Sequence, residues 1–137
     1  MAFLKSLKLL NTRTSDTLAQ SLEVADHFGS RFLGLQGRRD LEPGRGLLLV
    51  PCRSVHTFFM RFPLDLLMLS RYGTVVGVFR GVPPWRTVMA DSQTHAVLEV
   101  KGGTLPQVLL GDQIRMIPQE GKRPPHFPLC LDFLLNP

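Results

Sequence analysis

The segment Leu64–Leu69, LDLLML, constrains this chain more than any other. It is an apolar run of strand length, preceded by Pro63 and followed by the turn signal Arg71-Tyr72-Gly73, so it reads as a buried strand entering a hairpin. Side chains alternate along a strand, which puts Asp65, Leu67 and Leu69 on one face and Leu64, Leu66 and Met68 on the other. Both faces are apolar, and Asp65 interrupts one of them. A carboxylate in that position is costly unless it is paired. Its partner is expected among Arg31, Arg53 and Arg61, or among backbone N–H groups at a turn. Glu99 poses the same question in a second apolar strand, Ala96–Val100.

Other strands follow from short apolar runs between turn residues. Leu4–Leu10 reads as a first strand, and the second half of Leu18–Ala25 as another. Gly46–Val50 (GLLLV) reads as a buried strand. Thr74–Val82 is the hairpin partner of Leu64–Leu69, ended by Pro83-Pro84, and Gln113–Ile117 closes the set. Val55–Pro63 reads either as strand or as a tight bend, residues 83–94 as a loop, and Leu105–Leu110 as a short helical piece. One helix is expected over residues 27–36, where Phe28, Phe32 and Leu35 fall at helical spacing, with Asp26 as N-cap and Gly37 as C-cap. The expected fold is α+β: a β-rich domain, a partly closed barrel in one form, with that helix packed on it. With 137 residues, 44% of them hydrophobic, one domain can bury a core without a metal or disulfide scaffold. Residues 1–117 are read as that domain. Residues 118–137 are read as a Pro-rich tail with an apolar end, LCLDFLL, either packed across the body or offered to a partner chain.

Charge and cysteine narrow the function. Lys plus Arg is 16 and Asp plus Glu is 11, for a net +5. The excess is local: from Arg31 to Arg86 there are nine Arg against Asp40, Glu42 and Asp65, or +6. A solvated basic face or an anion-binding surface would each account for it. No basic run is interleaved with aromatics, and the chain has one Trp and one Tyr, so nucleic-acid binding is not expected. Cys52 and Cys130 stand far apart with no CxxC spacing. They read as reduced thiols in a cytoplasmic protein with no metal and no cofactor. The N-terminus has no long apolar stretch, so neither a signal peptide nor a membrane span is expected.

Chemistry-bearing residues are densest in Cys52–Asp65, CRSVHTFFMRFPLD. A Cys52–His56 nucleophilic pair would need a bend, because strand geometry separates the two by about 13 Å. Asp65 and Glu99 could be paired carboxylates, metal ligands with His56, or two separate salt bridges.

Four blocks then resemble a known family, the domain of unknown function 192. VADHFGSRFLGLQGRRDL (Val24–Leu41) carries an Arg-x-x-Gly-Leu core at Arg31, Gly34 and Leu35. GLLLV follows as an apolar strand. VHTFFMRFPLD (Val55–Asp65) is similar to the family's aromatic-Met and Leu-Asp block, and VLEVKGG with GDQI is similar to its closing signature. The resemblance spans about residues 20 to 117. It implies a mostly β fold with one packed helix and no established activity. The chain departs from the pattern at Phe59, where many relatives have Gly or Trp. It departs again at Ser70-Arg71, where an acidic residue is common.

The expectation for function is a binding or accessory module, not an enzyme. Its polar pocket would be lined by Arg31, His56, Thr57, Arg61, Asp65 and Glu99 and would take a small anionic or polar ligand. Two alternatives are a hydrolase-like enzyme using Asp65 or Glu99 with His56, and an assembly accessory that meets a protein partner through the C-terminal tail.

Overall fold

The structure is a computed structural model and describes residues 2–4, 7–25, 39–118 and 129–135. Among the described residues eleven strands follow in chain order: β1 (Ala2–Leu4), β2 (Leu7–Asn11), β3 (Thr17–Ala19), β4 (Ser21–Ala25), β5 (Arg45–Leu49), β6 (Ser54–His56), β7 (Leu64–Ser70), β8 (Val75–Val82), β9 (Thr87–Met89), β10 (Thr94–Lys101) and β11 (Ile114–Pro118). Among the described residues one short 3-10 helix, Leu129–Leu134, follows them.

The strands form a six-stranded sheet in the order β1-β4-β5-β10-β7-β8, a three-stranded sheet β11-β2-β3 and a two-stranded ribbon β6-β9. In the large sheet only β4 and β5 run parallel. Register decides which side chains share a face. Val24, Leu48, Leu98, Leu67 and Val78 stand opposite one another across five strands. They belong to a core that also takes in Leu9, Ala19, Ile114 and Met116 of the three-stranded sheet. The next row, Glu23, Leu47, Glu99, Leu66 and Phe79, lies on the other face. The core on that face includes Val55, Met60 and Phe62, with Val88 packed against it. The large sheet is thus covered on both sides. All seven residues of β7 are buried, which is why its sequence is a continuous apolar run instead of an alternating one.

The α+β expectation is corrected by this architecture: the domain is all-β. Among the described residues there is no helix of seven or more residues, and no sheet closes into a barrel. Closure would require β1 and β8, the outermost strands of the large sheet, to meet. Instead the apolar faces of that sheet are covered by two further layers. The helix expected over residues 27–36, with its caps at Asp26 and Gly37, lies outside the described residues.

The short helical piece expected over Leu105–Leu110 is irregular backbone. Side chains from elsewhere take the groups a helix would use. Asp65 accepts the Leu105 N–H and Asp112 the Leu109 N–H, while Arg80 donates to the carbonyls of Leu105 and Pro106. Residues 83–94, expected as a loop, contain β9, which pairs with β6. In the tail, Leu131 and Leu134 are fully buried in the core beneath the three-stranded sheet. Among the described residues no helix is long and apolar enough to cross a membrane.

Candidate functional site

Among the described residues Asp65 has backbone partners and no cation. Its Oδ1 accepts the N–H of Gly81 at 2.8 Å, and its Oδ2 accepts those of Gly103 at 2.9 Å and Leu105 at 3.1 Å. The register of β7 against β8 shifts between Leu64 and Leu66, opposite Gly81, whose φ is +61°. The carboxylate therefore holds the N–H groups that this irregularity and the turn after β10 leave out of the ladder. Asp65 is 1% exposed and faces the first core beside Val100. Glu99 is opposite Leu66, so it points from the other face of the same sheet. Glu99 is buried and takes part in an interaction of its own. The two acids are separated by the sheet and do not share a site. Arg31 lies outside the described residues.

The other three expected site residues, His56, Thr57 and Arg61, lie along one segment, from the end of β6 to the chain just before β7. β6 ends at His56, and the chain then turns through Phe58 and Phe59 before reaching Met60. Thr57 fastens this turn to the segment before β9. Its hydroxyl donates to the Pro83 carbonyl at 2.7 Å and accepts the Arg86 N–H at 2.8 Å. Its backbone N–H donates to the Arg86 carbonyl, and its carbonyl accepts the N–H groups of Trp85 and Met60. Thr57 is fully buried with every polar group engaged, so it positions its neighbours and does not face a ligand. Met60 and Phe62 point into the core, while Arg61 is exposed.

The outward residues of the two joined segments make an aromatic patch. Phe58 stacks on Trp85 with ring centroids 5.9 Å apart, and Phe59 meets Trp85 edge-on at 4.8 Å. His56 lies 5.1 Å from Phe58. Phe59 and Trp85 both have left-handed backbone, at φ +62° and +66°, and remain 63% and 56% exposed. Residues 51–64 and 83–90 together supply Arg53, Arg61 and Arg86, all exposed, and no Asp or Glu. The sequence shows no basic run interleaved with aromatics because the pattern exists only in space: TFFMR and PPWR are more than twenty positions apart and are joined through Thr57. The adjacent phenylalanines and the lone Trp were the available signal.

Cys52 and Asp112 make their bonds within the fold. The Cys52 thiol donates to the Ser54 carbonyl. Asp112 is hydrogen-bonded by Asn11, Arg13 and the Leu109 N–H, and ties the β2–β3 turn to the chain just before β11. The Arg13 guanidinium, then the Leu109 N–H and Asn11, hold the Asp112 carboxyl well below the usual carboxylate range. Burial, and secondarily the charge of Arg71, pushes the His95 imidazole down. Among the described residues no group of three His, Cys, Asp or Glu is placed to hold a metal ion.

The family model of DUF192, described as "Uncharacterized ACR, COG1430", matches residues 10–116, and the chain belongs to that family. No curated protein sequence matches it. Two solved structures are similar in fold. One is a protein of unknown function from Novosphingobium aromaticivorans DSM 12444, 20% identical, with a TM-score of 0.69 over 80% of this chain and 82% of that one. The other, a candidate transcription regulator from Sinorhizobium meliloti 1021, is 24% identical, with a TM-score of 0.67 over 80% of this chain and 91% of that one.

Proposed function

We propose that this DUF192 member is a binding module, and that its ligand surface is the patch of His56, Phe58, Phe59 and Trp85, with Arg86 beside Trp85 and the exposed Arg53 and Arg61 on the same two segments. The observation that carries the reading is the paired strain of Phe59 and Trp85. Left-handed backbone costs a residue with a β-carbon roughly 1–2 kcal/mol. Here that cost falls on two bulky aromatics whose rings the fold then leaves largely in water. Neither burial nor solubility is served by such an arrangement, whereas a surface for stacking is. The ligand class follows from the charge. A flat apolar face would stack on the rings, and a negative group would find arginines with no competing carboxylate in either segment.

Binding is favoured over hydrolysis because Asp65 and Glu99 stand on opposite faces of the sheet and the oxygens of Asp65 are committed to three backbone N–H groups. An accessory role through the tail has less support, since Leu131 and Leu134 are occupied in the chain's own core. The same stacked rings and arginines support a second reading, a single nucleic-acid strand with bases lying on Phe58 and Trp85.

Trp85 is the only tryptophan of the chain, so its fluorescence reports the patch directly. Titration with adenosine monophosphate and with benzoate is expected to give a saturable change that weakens as salt rises. The absence of a saturable change with both would remove the small-ligand reading. Saturation by a decathymidylate alone would assign the surface to a nucleic-acid strand instead.

A further inference from the structure

A second feature lies away from the aromatic patch, where the β7–β8 hairpin meets the chain just before β10. An open cleft of about 510 Å³ is lined there by Ser70, Arg71, Tyr72, Thr74 and Ser92, with no carboxylate in its lining. The hairpin that forms one wall is rigidly held. The Ser70 N–H donates to the Thr74 carbonyl and the Gly73 N–H to the Ser70 carbonyl, while Gln113 bonds both Tyr72 and Thr74. Gly73, at φ +76°, packs so closely on β11 that a β-carbon would stand 2.9 Å from the Ile114 carbonyl oxygen.

Two donors stand at this cleft, the Ser70 hydroxyl and the Arg71 guanidinium. Ser70 Oγ accepts the N–H groups of Tyr72 and Thr74, each at 3.2 Å, which occupies its lone pairs and leaves its hydroxyl proton to donate. Ser70 is 8% exposed, and among the described residues nothing accepts that proton. Directly across the ladder, Thr94 is 3% exposed and its Oγ1 has no hydrogen-bond partner. Arg71 has no carboxylate partner among the described residues. Asp91, next in sequence to the cleft residue Ser92, turns one oxygen to the Gln93 N–H. A guanidinium and a buried hydroxyl proton, both lacking acceptors on one preorganised wall, are complementary to an oxyanion.

We infer that the Ser70–Arg71 cleft is a second binding site, for the anionic head group, phosphate or carboxylate, of a small molecule. The cleft is larger than a bare anion, so the body of the ligand would lie along Tyr72. The site is independent of the aromatic patch and does not rest on that reading.

The test is a titration of the full chain with inorganic phosphate, and separately with acetate, at constant ionic strength near neutral pH, followed by amide nuclear magnetic resonance. The amide signals of residues 70–74, 92 and 93 are expected to move along a saturable curve with one or both anions, the tighter probe identifying the head group. Arg71→Ala, at an exposed position, is expected to weaken binding at least about tenfold. Phe59→Gly is expected to leave it unchanged, which separates this site from the patch read by Trp85. No saturable movement with either anion, or equal affinity in Arg71→Ala, would overturn the inference.

Discussion

At the scale of single residues, the informative side chains are those whose backbone works against them. Phe59 is the sharpest case, because relief of its strain and loss of its contact can be weighed against each other. Replacing it by Gly removes a left-handed cost of roughly 1–2 kcal/mol. The same change gives up an edge-on contact with Trp85 that is worth about 0.5–1.5 kcal/mol, and adds glycine's backbone entropy cost of roughly 0.5–1 kcal/mol. The net effect on folding is small, so Phe59→Gly is expected to shift Tm by less than about 5 °C. The patch loses half of its edge, however, and the fluorescence response of Trp85 to adenosine monophosphate is expected to weaken at least about tenfold. A large drop in Tm with intact binding would make Phe59 a folding residue and would remove the main support for the patch. Thr57 carries the complementary lesson. Its residue type and neighbours mark it as polar and unusual, but only the structure shows that it faces inward with every bond made.

Among the elements, Asp65 acts as a joint between β7, the irregular end of β8 and the turn after β10. The need for a partner was legible in LDLLML, because a buried carboxylate has few stable environments. That the partners would be N–H groups of Gly81, Gly103 and Leu105 was one of the alternatives the sequence left open. The register that carries Asp65 and Glu99 to opposite faces was not legible, since it depends on Asp65 pairing with Val100 and not with Glu99. The same contrast runs through the other elements. The β7–β8 hairpin was readable because its turn residues are adjacent to its strands. β9 was not, because three residues become a strand only when β6 lies beside them. Asp65→Asn tests the joint. An amide can still accept at one oxygen, but its NH2 would face N–H donors where the carboxylate now accepts. The expected cost is about 3 kcal/mol, a fall in Tm of roughly 10 °C, with faster amide hydrogen exchange at Gly81, Gly103 and Leu105. An unchanged Tm would mean that the segment after β10 is held by the Arg80 carbonyl contacts instead.

For the whole molecule, three layers of sheet and a net charge of +5 set how stability depends on pH. Among the described residues His95, Asp112 and, at the surface beside Lys101, Asp40 bind protons less readily than they would in the unfolded chain, and all act in the same direction. His95 is held below its ordinary value of 6.5, by burial first and by Arg71 second. Below about pH 6.5 the unfolded chain therefore takes up a proton at this position that the folded chain refuses, and stability falls until the folded value is passed. Asp112 is held below its ordinary value of 3.8 by Arg13, the Leu109 N–H and Asn11. Its contribution is complete above that value and is lost as acidification carries the folded carboxylate through its own lower pKa. Protonation of the remaining carboxylates adds positive charge to an already basic surface and reinforces the second fall. Denaturant midpoints measured from roughly pH 8 to roughly pH 3 are expected to decline in two stages, one near the histidine range and one below about pH 4. The chain has four histidines, so His95→Gln assigns the first stage: the variant is expected to keep the lower decline and lose most of the upper one. Stability that rose between pH 7 and roughly pH 5 in the unaltered chain would show that the fold favours the imidazolium. The positive field of Arg71 at the edge of the cleft would then have to be balanced by an acid close to His95.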